Sequence, residues 1–579
     1  MKKLFEYLAP YKARMIFGLS IKVVGTVMDL FLPLILSHII DIVIPTGSIP
    51  SIVLWGIIMI VCSFVAWFGN ITANRMAARV SGDCIKSIRH DLFAKISYLD
   101  SRTVDKMTIS SLESRITSDT YSVHGMVGMV QRMGVRAPIL VIGGLIVAFV
   151  LDARLTVMLA LTMPFIFLSV FIISKKGVKL YKKLQYAIDN IVKVVRENAT
   201  GVRVIKALGK TEYEKKRFDS VNSDAIRMEK TAGTVMSLTG PLITFFLNAG
   251  LCAVIAAGAY WVDTGLSTNG KIIAFMSYFT IISNATIAMS RIFTMCSKGA
   301  ACMNRIETVL CEEPRLWAAQ YEAFDELQNT EQIVPHISFR NVTFSYGESE
   351  SNVLEDISFD LGHKETLGII GATGSGKSTI ISLLMRMYDV SQGEILIDGI
   401  NIKRYPSAKL REKFGAVFQN DFLFADSIYE NVNFGRDLSQ EQVDNALKMA
   451  QAEYVNGYED GTEHMLDIKG ANLSGGQKQR LLVARAIATS PEILVLDDSS
   501  SALDYKTDAA LREVIRTKLA DSTTVIIAQR ISSVMNTDKI MVLDKGRIIG
   551  LGTHKELLEN CDIYREIHDT QMSGGAVIE

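Results

Sequence analysis

Gly371-Ala372-Thr373-Gly374-Ser375-Gly376-Lys377-Ser378 fills every fixed position of the pattern G-x-x-x-x-G-K-[ST]. An apolar run, 366–370, precedes it and a second, 379–384, follows, which places the stretch between an expected strand and an expected helix. In that setting glycines let the backbone curl close around phosphates, peptide N–H groups point inward, and the helix adds the positive end of its dipole. Lys377 is placed to reach the β- and γ-phosphates of a nucleotide, and Ser378 to help hold Mg²⁺. The pattern predicts an α/β nucleotide-binding domain in the second half of the chain.

Outward from this stretch, composition sets the class. A chain of 579 residues has room for several domains, and 49% hydrophobic residues with a mean hydropathy of +0.24 point to a membrane part. The 61 basic side chains balance 61 acidic ones, which gives no support to a nucleic-acid partner. The 7 cysteines are odd in number and lack C-x-x-C spacing, so neither a disulfide framework nor a cysteine-based zinc site is indicated. Residues 1–14 are charged and amphipathic, and the apolar stretch after them is too long for a cleavable signal. They read as a short helix at the cytoplasmic face of a membrane.

Six apolar segments follow: 16–44, 51–73, 137–151, 155–174, 231–262 and 272–290. Most approach or exceed the ~20 residues that cross a bilayer. The third is short, and its span is expected to take in part of 126–135 despite Arg132. Connections 45–50, 152–154 and 263–271 are short, whereas 74–136 and 175–230 are long and basic. The positive-inside rule puts the long pair in the cytoplasm, as helical extensions of the spans, and Trp55 and Trp261 near the outer interface. Segments 114–119 and 201–207 are candidates to flank tips that touch a soluble domain. Asp29 lies about 22 Å beyond Arg14 along the first span, near the midplane. A carboxylate there must face protein or a wet cavity. Two readings stand: a polar network with Lys22, seven residues earlier on the same helix face, or a substrate path lined by Asp29.

The boundaries expected are a transmembrane domain at 1–311, an acidic linker at 312–335 containing Pro314, Trp317 and Tyr321, and the nucleotide-binding domain at 336–579. In that domain Ile493-Leu494-Val495-Leu496-Asp497-Asp498 reads as a buried parallel strand ending in a carboxylate placed for Mg²⁺. Leu473-Ser474-Gly475-Gly476-Gln477 precedes a helical run and reads either as an anion site or as an ordinary N-cap. Tyr346 is either an adenine-stacking ring or a surface tyrosine at a turn.

A P-loop, Gln419 after an apolar strand, Leu-Ser-Gly-Gly-Gln, an Asp-terminated strand and Ser501-Ala502-Leu503-Asp504 occur in that order. Together they resemble the nucleotide-binding domain of ATP-binding cassette (ABC) transporters. Six spans ahead of it resemble an exporter half-transporter, and 197–206 is similar to the exporters' second intracellular loop. The resemblance implies ATP and Mg²⁺ as cofactors, with Tyr346 stacking on adenine and 371–378 holding phosphates. It implies Ser378, Gln419 and Asp497 around Mg²⁺, and 473–477 capping ATP on a second half-transporter. It also implies a multi-pass protein of a bacterial plasma membrane, with its N-terminus and nucleotide-binding domain cytoplasmic.

Three positions depart from the family's pattern. The catalytic Glu after the Walker B Asp is Asp498, the switch His is Gln529, and a Glu common ahead of the signature is Ile468. The first two resemble the degenerate-site subunit of heterodimeric bacterial multidrug exporters. The expectation is a heterodimer partner in preference to a homodimer, and export of amphiphilic, drug-like or lipid-like compounds across the bilayer. An exporter-fold importer, siderophore-like, and a nucleotide-gated regulatory membrane protein are the alternatives.

Overall fold

The computed structural model describes residues 1–313, 334–347, 351–419, 422–499 and 501–573. Most of the expected linker, including Pro314, Trp317 and Tyr321, lies outside the described residues. The chain divides into two compact units. One is Met1–Ser97 with Ser110–Glu312; the other is Tyr98–Ile109 with Glu313–Glu579.

The first unit is helical: α1 (Lys2–Leu8), α2 (Lys12–His38), α3 (Ile49–Ser97), then, beyond α4 (Ser101–Met107), α5 (Ile109–Ser114), α6 (Thr120–Met133) and α7 (Arg136–Leu151). It continues with α8 (Ala153–Thr200), α9 (Val202–Ala207), α10 (Thr211–Ser237), α11 (Thr239–Asp263) and α12 (Asn269–Leu310). Five segments among the described residues are long and apolar enough to cross a membrane. The expected segment 155–174 lies inside α8, a single helix of 48 residues. At about 1.5 Å per residue, the 49 residues of α3 far exceed the ~30 Å of hydrocarbon, so this span runs on into its polar extension. The short third segment is completed by α6, with the helix broken at Gly134.

Small residues set the approach of α2 to α3. A Cβ on Gly25 would meet Ala66 O at 3.3 Å, and one on Gly69 would meet Ile21 O at 3.4 Å. On the outer face of α3, Val53, Leu54, Ile57, Ile60 and Phe64 are exposed, as a lipid-facing surface requires. Phe275, Tyr278 and Phe279 of α12 are buried against neighbouring helices, and the Tyr278 hydroxyl donates to Leu30 O at 2.6 Å. Asp152 caps α8 by accepting from the N–H groups of Arg154 and Leu155.

In the second unit, β1 (Ile337–Phe344), β2 (Leu354–Leu361), β4 (Gln392–Ile397) and β5 (Ile400–Asn401) form an antiparallel sheet in the order β2-β1-β4-β5. The core sheet contains β3 (Thr366–Gly371), β6 (Phe414–Val417), β7 (Ile493–Asp497), β8 (Thr523–Ile527), β9 (Lys539–Asp544) and β10 (Arg547–Gly552). Its order is β10-β9-β3-β8-β7-β6, parallel from β9 to β6. Ile369, Leu494, Val495 and Val525 are buried, the pattern of strands covered on both faces. Around the sheets lie α13 (Lys377–Leu384), α14 (Ser407–Glu412), α15 (Ile428–Asn433), α16 (Gln440–Met449), α17 (Gly475–Ile487), α18 (Tyr505–Lys518), α19 (His554–Asn560) and α20 (Asp562–Ser573).

Strand order decides where the chemistry collects. β8 lies between β3 and β7, so the turn after β3, Asp497 at the end of β7 and Gln529 just past β8 emerge side by side. Gln419 follows β6, next to β7. Ligands of open parallel sheets bind at such carboxyl ends.

Candidate functional site

The loop 371–378 joins β3 to α13, as its pattern requires. Gly376 has φ 101°, and a Cβ there would lie 2.6 Å from Leu354 Cδ2, so a side chain is excluded both by conformation and by space. Lys377 Nζ donates to Gly371 O at 2.9 Å and to Ala372 O at 2.8 Å, which keeps the ammonium over the loop. Burial lowers its pKa, while Asp497 and Asp498 act in the opposite direction. The Ser375 hydroxyl is buried without a hydrogen-bond partner, an unmet polar group inside the loop. A phosphate cradle accounts for these features together.

Asp497 is 4% exposed at the end of the buried β7. Burial raises its pKa and a hydrogen bond from Ser378 opposes that rise. The donors fit Mg²⁺, whose hard oxygen preference suits a carboxylate beside a hydroxyl. Asp498 has φ 52°, and its N–H donates to Ile527 O at 3.0 Å, which ties it to β8. Burial raises its pKa too, against Lys377, Arg530 and a hydrogen bond from Gln419. Gln529 Nε2 donates to Asp498 Oδ2 at 3.0 Å. Two of the three positions that depart from the family's pattern are therefore bonded to each other. They border a cavity of about 670 Å³ that Tyr505, Arg530 and Gln571 also line.

Gln571, on α20, was not legible as a site residue. Its Oε1 accepts from the N–H of Ile531 at 2.8 Å and its Nε2 donates to Gln529 O at 2.9 Å, so the C-terminal helix holds the loop after β8.

Around 473–477 the structure shows the N-cap. Ser474 is the N-cap of α17 in a capping box with Gln477, and Ser474 and Gly475 are exposed at the N-terminus of a 13-residue helix. Gln479 links this helix to 501–504: its Nε2 donates to Ser501 Oγ at 3.0 Å and its Oε1 accepts from the Ala502 N–H at 3.0 Å. Ile468 is 70% exposed, beside Lys469 with φ 62°.

Tyr346 is half-exposed, and its hydroxyl lies 3.1 Å from Thr379 Oγ1 at the start of α13. The Tyr388 ring meets it edge-on at 5.1 Å. The Tyr388 hydroxyl donates to Asp105 Oδ2 of α4 at 2.6 Å, and Arg102 Nη2 donates to Ser345 O at 3.3 Å. Burial and the Asp105 carboxylate push the Tyr388 phenol well above its ordinary pKa, which keeps it a donor. Within the second unit, α4, which the chain places between α3 and α5, is thus the element that touches the ATP-binding residues; 114–119, expected to flank such a tip, begins about two turns further on. Asp119 instead accepts from Arg305 Nε at 2.8 Å within the first unit.

In the first unit Asp29 and Lys22 take separate partners. Lys22 Nζ donates to Asn74 Oδ1 at 3.0 Å. Asp29 Oδ2 accepts from Arg136 Nη2 at 3.1 Å and from Asn70 Nδ2 at 3.3 Å. The direct pair with Lys22 is not formed, because Arg136 at the start of α7 reaches the carboxylate first. Asp29 and Arg136 line a cavity of about 400 Å³ together with Leu140, Asn284 and Ala288.

A helical unit with membrane-crossing helices and a P-loop unit with a Walker-type carboxylate define a membrane protein that uses nucleotide. Residues 15–286 match the ABC transporter transmembrane region and residues 354–501 the ABC transporter domain. The chain is 32% identical over 573 residues to the uncharacterized ABC transporter ATP-binding protein YfiB of Bacillus subtilis, covering 99% of this chain and 98% of that one. It is 31% identical over 577 residues to the uncharacterized ABC transporter ATP-binding protein MT1311 of Mycobacterium tuberculosis, with 99% and 98% covered. A solved bacterial Atm1-family ABC exporter with ATP bound superposes with a TM-score of 0.80 at 23% identity, covering 97% of this chain and 99% of its own. The chain belongs to the ABC transporter family. It is an exporter-fold half-transporter, a multi-pass membrane protein with one transmembrane region and one ATP-binding domain. That architecture implies pairing with a partner or with a second copy.

Proposed function

We propose that this chain is one subunit of a heterodimeric ATP-driven exporter of amphiphilic, drug-like or lipid-like compounds, with a nucleotide site that binds ATP and hydrolyses it slowly. The observation that carries the reading is the hydrogen bond from Gln529 to Asp498. Asp is one C–C bond shorter than Glu, and a misplacement of ~1 Å costs on the order of 10²-fold in rate. Gln529 donates a hydrogen bond but carries no charge, where charge stabilisation dominates phosphoryl transfer. Part of its donor capacity is spent on Asp498. Mg²⁺, when bound, neutralises charge on the phosphates. Ser378 and Asp497 would hold it, Lys377 and the loop N–H groups would hold phosphate, and Tyr346 would stack on adenine. Loop 473–477, exposed on α17, would serve the partner's ATP. The ATP-binding domain would lie in the cytoplasm of a bacterial cell, beneath the plasma membrane.

The test is restoration. Asp498→Glu with Gln529→His is expected to raise the ATPase rate of the co-purified pair by severalfold, and an unchanged rate would show that these two residues do not limit turnover. A second prediction concerns cargo. Asp29, paired with Arg136, is the acidic group lining the 400 Å³ cavity, so Asp29→Asn, which leaves Arg136 uncompensated there, is expected to reduce export of cationic amphiphilic dyes severalfold in inverted vesicles. Unaltered dye transport would remove Asp29 from the substrate path.

A further inference from the structure

We propose a second site in the ATP-binding unit, apart from the nucleotide: a divalent transition-metal ion held by His336, His363 and Asp398. The three residues come from three turns. His336 immediately precedes β1, His363 lies between β2 and β3, and Asp398 opens the Asp398-Gly399 turn between β4 and β5. That turn has φ 51° and 72°, the left-handed pair of a tight two-residue hairpin, which fixes the direction of the carboxylate. The Asp398 N–H donates to His336 O at 3.0 Å, so two of the ligands are tied through their backbones.

The side chains converge on one point. Asp398 Oδ1 lies 3.8 Å from His336 Nε2 and 3.3 Å from His363 Nε2. A four-coordinate ion at about 2.0–2.2 Å from nitrogen and oxygen donors has donor–donor edges of roughly 3.4 Å. His336 is 3% exposed, and both its Nε2 and Asp398 Oδ1 are buried without a hydrogen-bond partner. Each such atom is costly unless something satisfies it, and one cation satisfies both. On the other side of the ring, His336 Nδ1 is 2.7 Å from Thr523 Oγ1, the kind of support that fixes the tautomer of a metal-binding imidazole. The two imidazoles stack at 4.2 Å and 10°, so closing on an ion requires a tilt, and His363, more than half exposed, is free to make it.

Charge is favourable as well. Lys413 Nζ is 3.5 Å from Asp398 Oδ2 but is also ion-paired with Glu492, which leaves one net negative charge when both imidazoles are neutral. Two imidazoles, one carboxylate and an open fourth position suit Zn²⁺, with Co²⁺ or Ni²⁺ as substitutes; Mg²⁺ and Ca²⁺ prefer oxygen alone. His336 precedes β1 and Tyr346 lies just past its other end, so the strand's eight residues at about 3.3 Å each separate this site from Tyr346 by roughly 25 Å. The ion would clamp the antiparallel sheet, through His336 and Asp398, to the turn that leads into β3 of the core sheet.

The experiment uses full-length protein without a polyhistidine tag, in lipid nanodiscs, titrated with Zn²⁺ in competition with a chromophoric chelator. Wild type is expected to bind one Zn²⁺ per chain that His363→Gln and Asp398→Asn bind roughly tenfold or more weakly. Zn²⁺ is also expected to raise the thermal midpoint of wild type and not that of His363→Gln. Because His363 is largely exposed, its substitution leaves the fold intact, and the same preparations report nucleotide binding as a control. Equal Zn²⁺ affinity and stoichiometry in wild type and His363→Gln overturns the assignment, since the metal then binds elsewhere. A wild-type midpoint that saturating Zn²⁺ does not move overturns it too.

Discussion

Gly475→Asp in this chain is expected to lower the ATPase rate of the assembled pair by on the order of 10²-fold or more. Gly475 is the first residue of α17 and is exposed. A carboxylate in the first turn favours the helix by about 0.3–1 kcal/mol, so the fold should survive. The added Cβ would meet Ala502 Cβ at 3.3 Å, a contact that a shift of a few tenths of an ångström relieves. On the proposed assignment, what the carboxylate does damage is an anion site, because it would replace an attractive helix terminus with a like charge facing the partner's phosphate. Steady-state phosphate release from the co-purified pair measures the effect. Asp498→Asn in the same chain is expected to change that rate by less than about threefold, since the proposal assigns hydrolysis to the partner's carboxylate. If Gly475→Asp retains most of the activity, loop 473–477 does not serve the productive site.

The second large effect is expected from composition of the dimer. Purified alone, this chain should turn over ATP on the order of 10²-fold more slowly than the pair, because every site it forms then contains Asp498 and Gln529. Nucleotide binding should persist in the same preparation, as 371–378, Ser378 and Asp497 are all present. Equilibrium binding of a fluorescent ATP analogue beside phosphate release separates the two. Brisk hydrolysis by the chain alone, abolished by Asp498→Asn, would leave no need for a different partner.

What was legible in the sequence shares one property: it is encoded in contiguous residues. The P-loop needs its glycines in a row between a strand and a helix. Asp497 ends a run of four apolar residues, and Ser474 caps a helix three residues before Gln477; each is a local pattern with a local cause. Five of the six apolar segments were readable for the same reason, since burial in hydrocarbon acts on every turn of a span. Residues brought together by tertiary folding were not readable. Arg136 reaches Asp29 across 107 positions, and Tyr388 reaches Asp105 across 283. Gln571 holds the Gln529 loop from 42 positions away. His336, His363 and Asp398 carry no spacing that a metal motif would show. Lys22 illustrates the converse: its spacing to Asp29 is right for one helix face, yet Asn74 on α3 offers a nearer acceptor.

Tyr388 stands with its ring edge on Tyr346 and its hydroxyl on α4. With adenine on Tyr346, one tyrosine would feel both the nucleotide and the helix that the chain inserts between α3 and α5. Linkage then imposes a symmetry that no choice of pathway can break: by whatever factor nucleotide tightens the hold on α4, α4 tightens the hold on nucleotide. A load that pulls on α4 would then shift how tightly ATP is held by the same factor. Letting go of one and letting go of the other would be two readings of the same free energy.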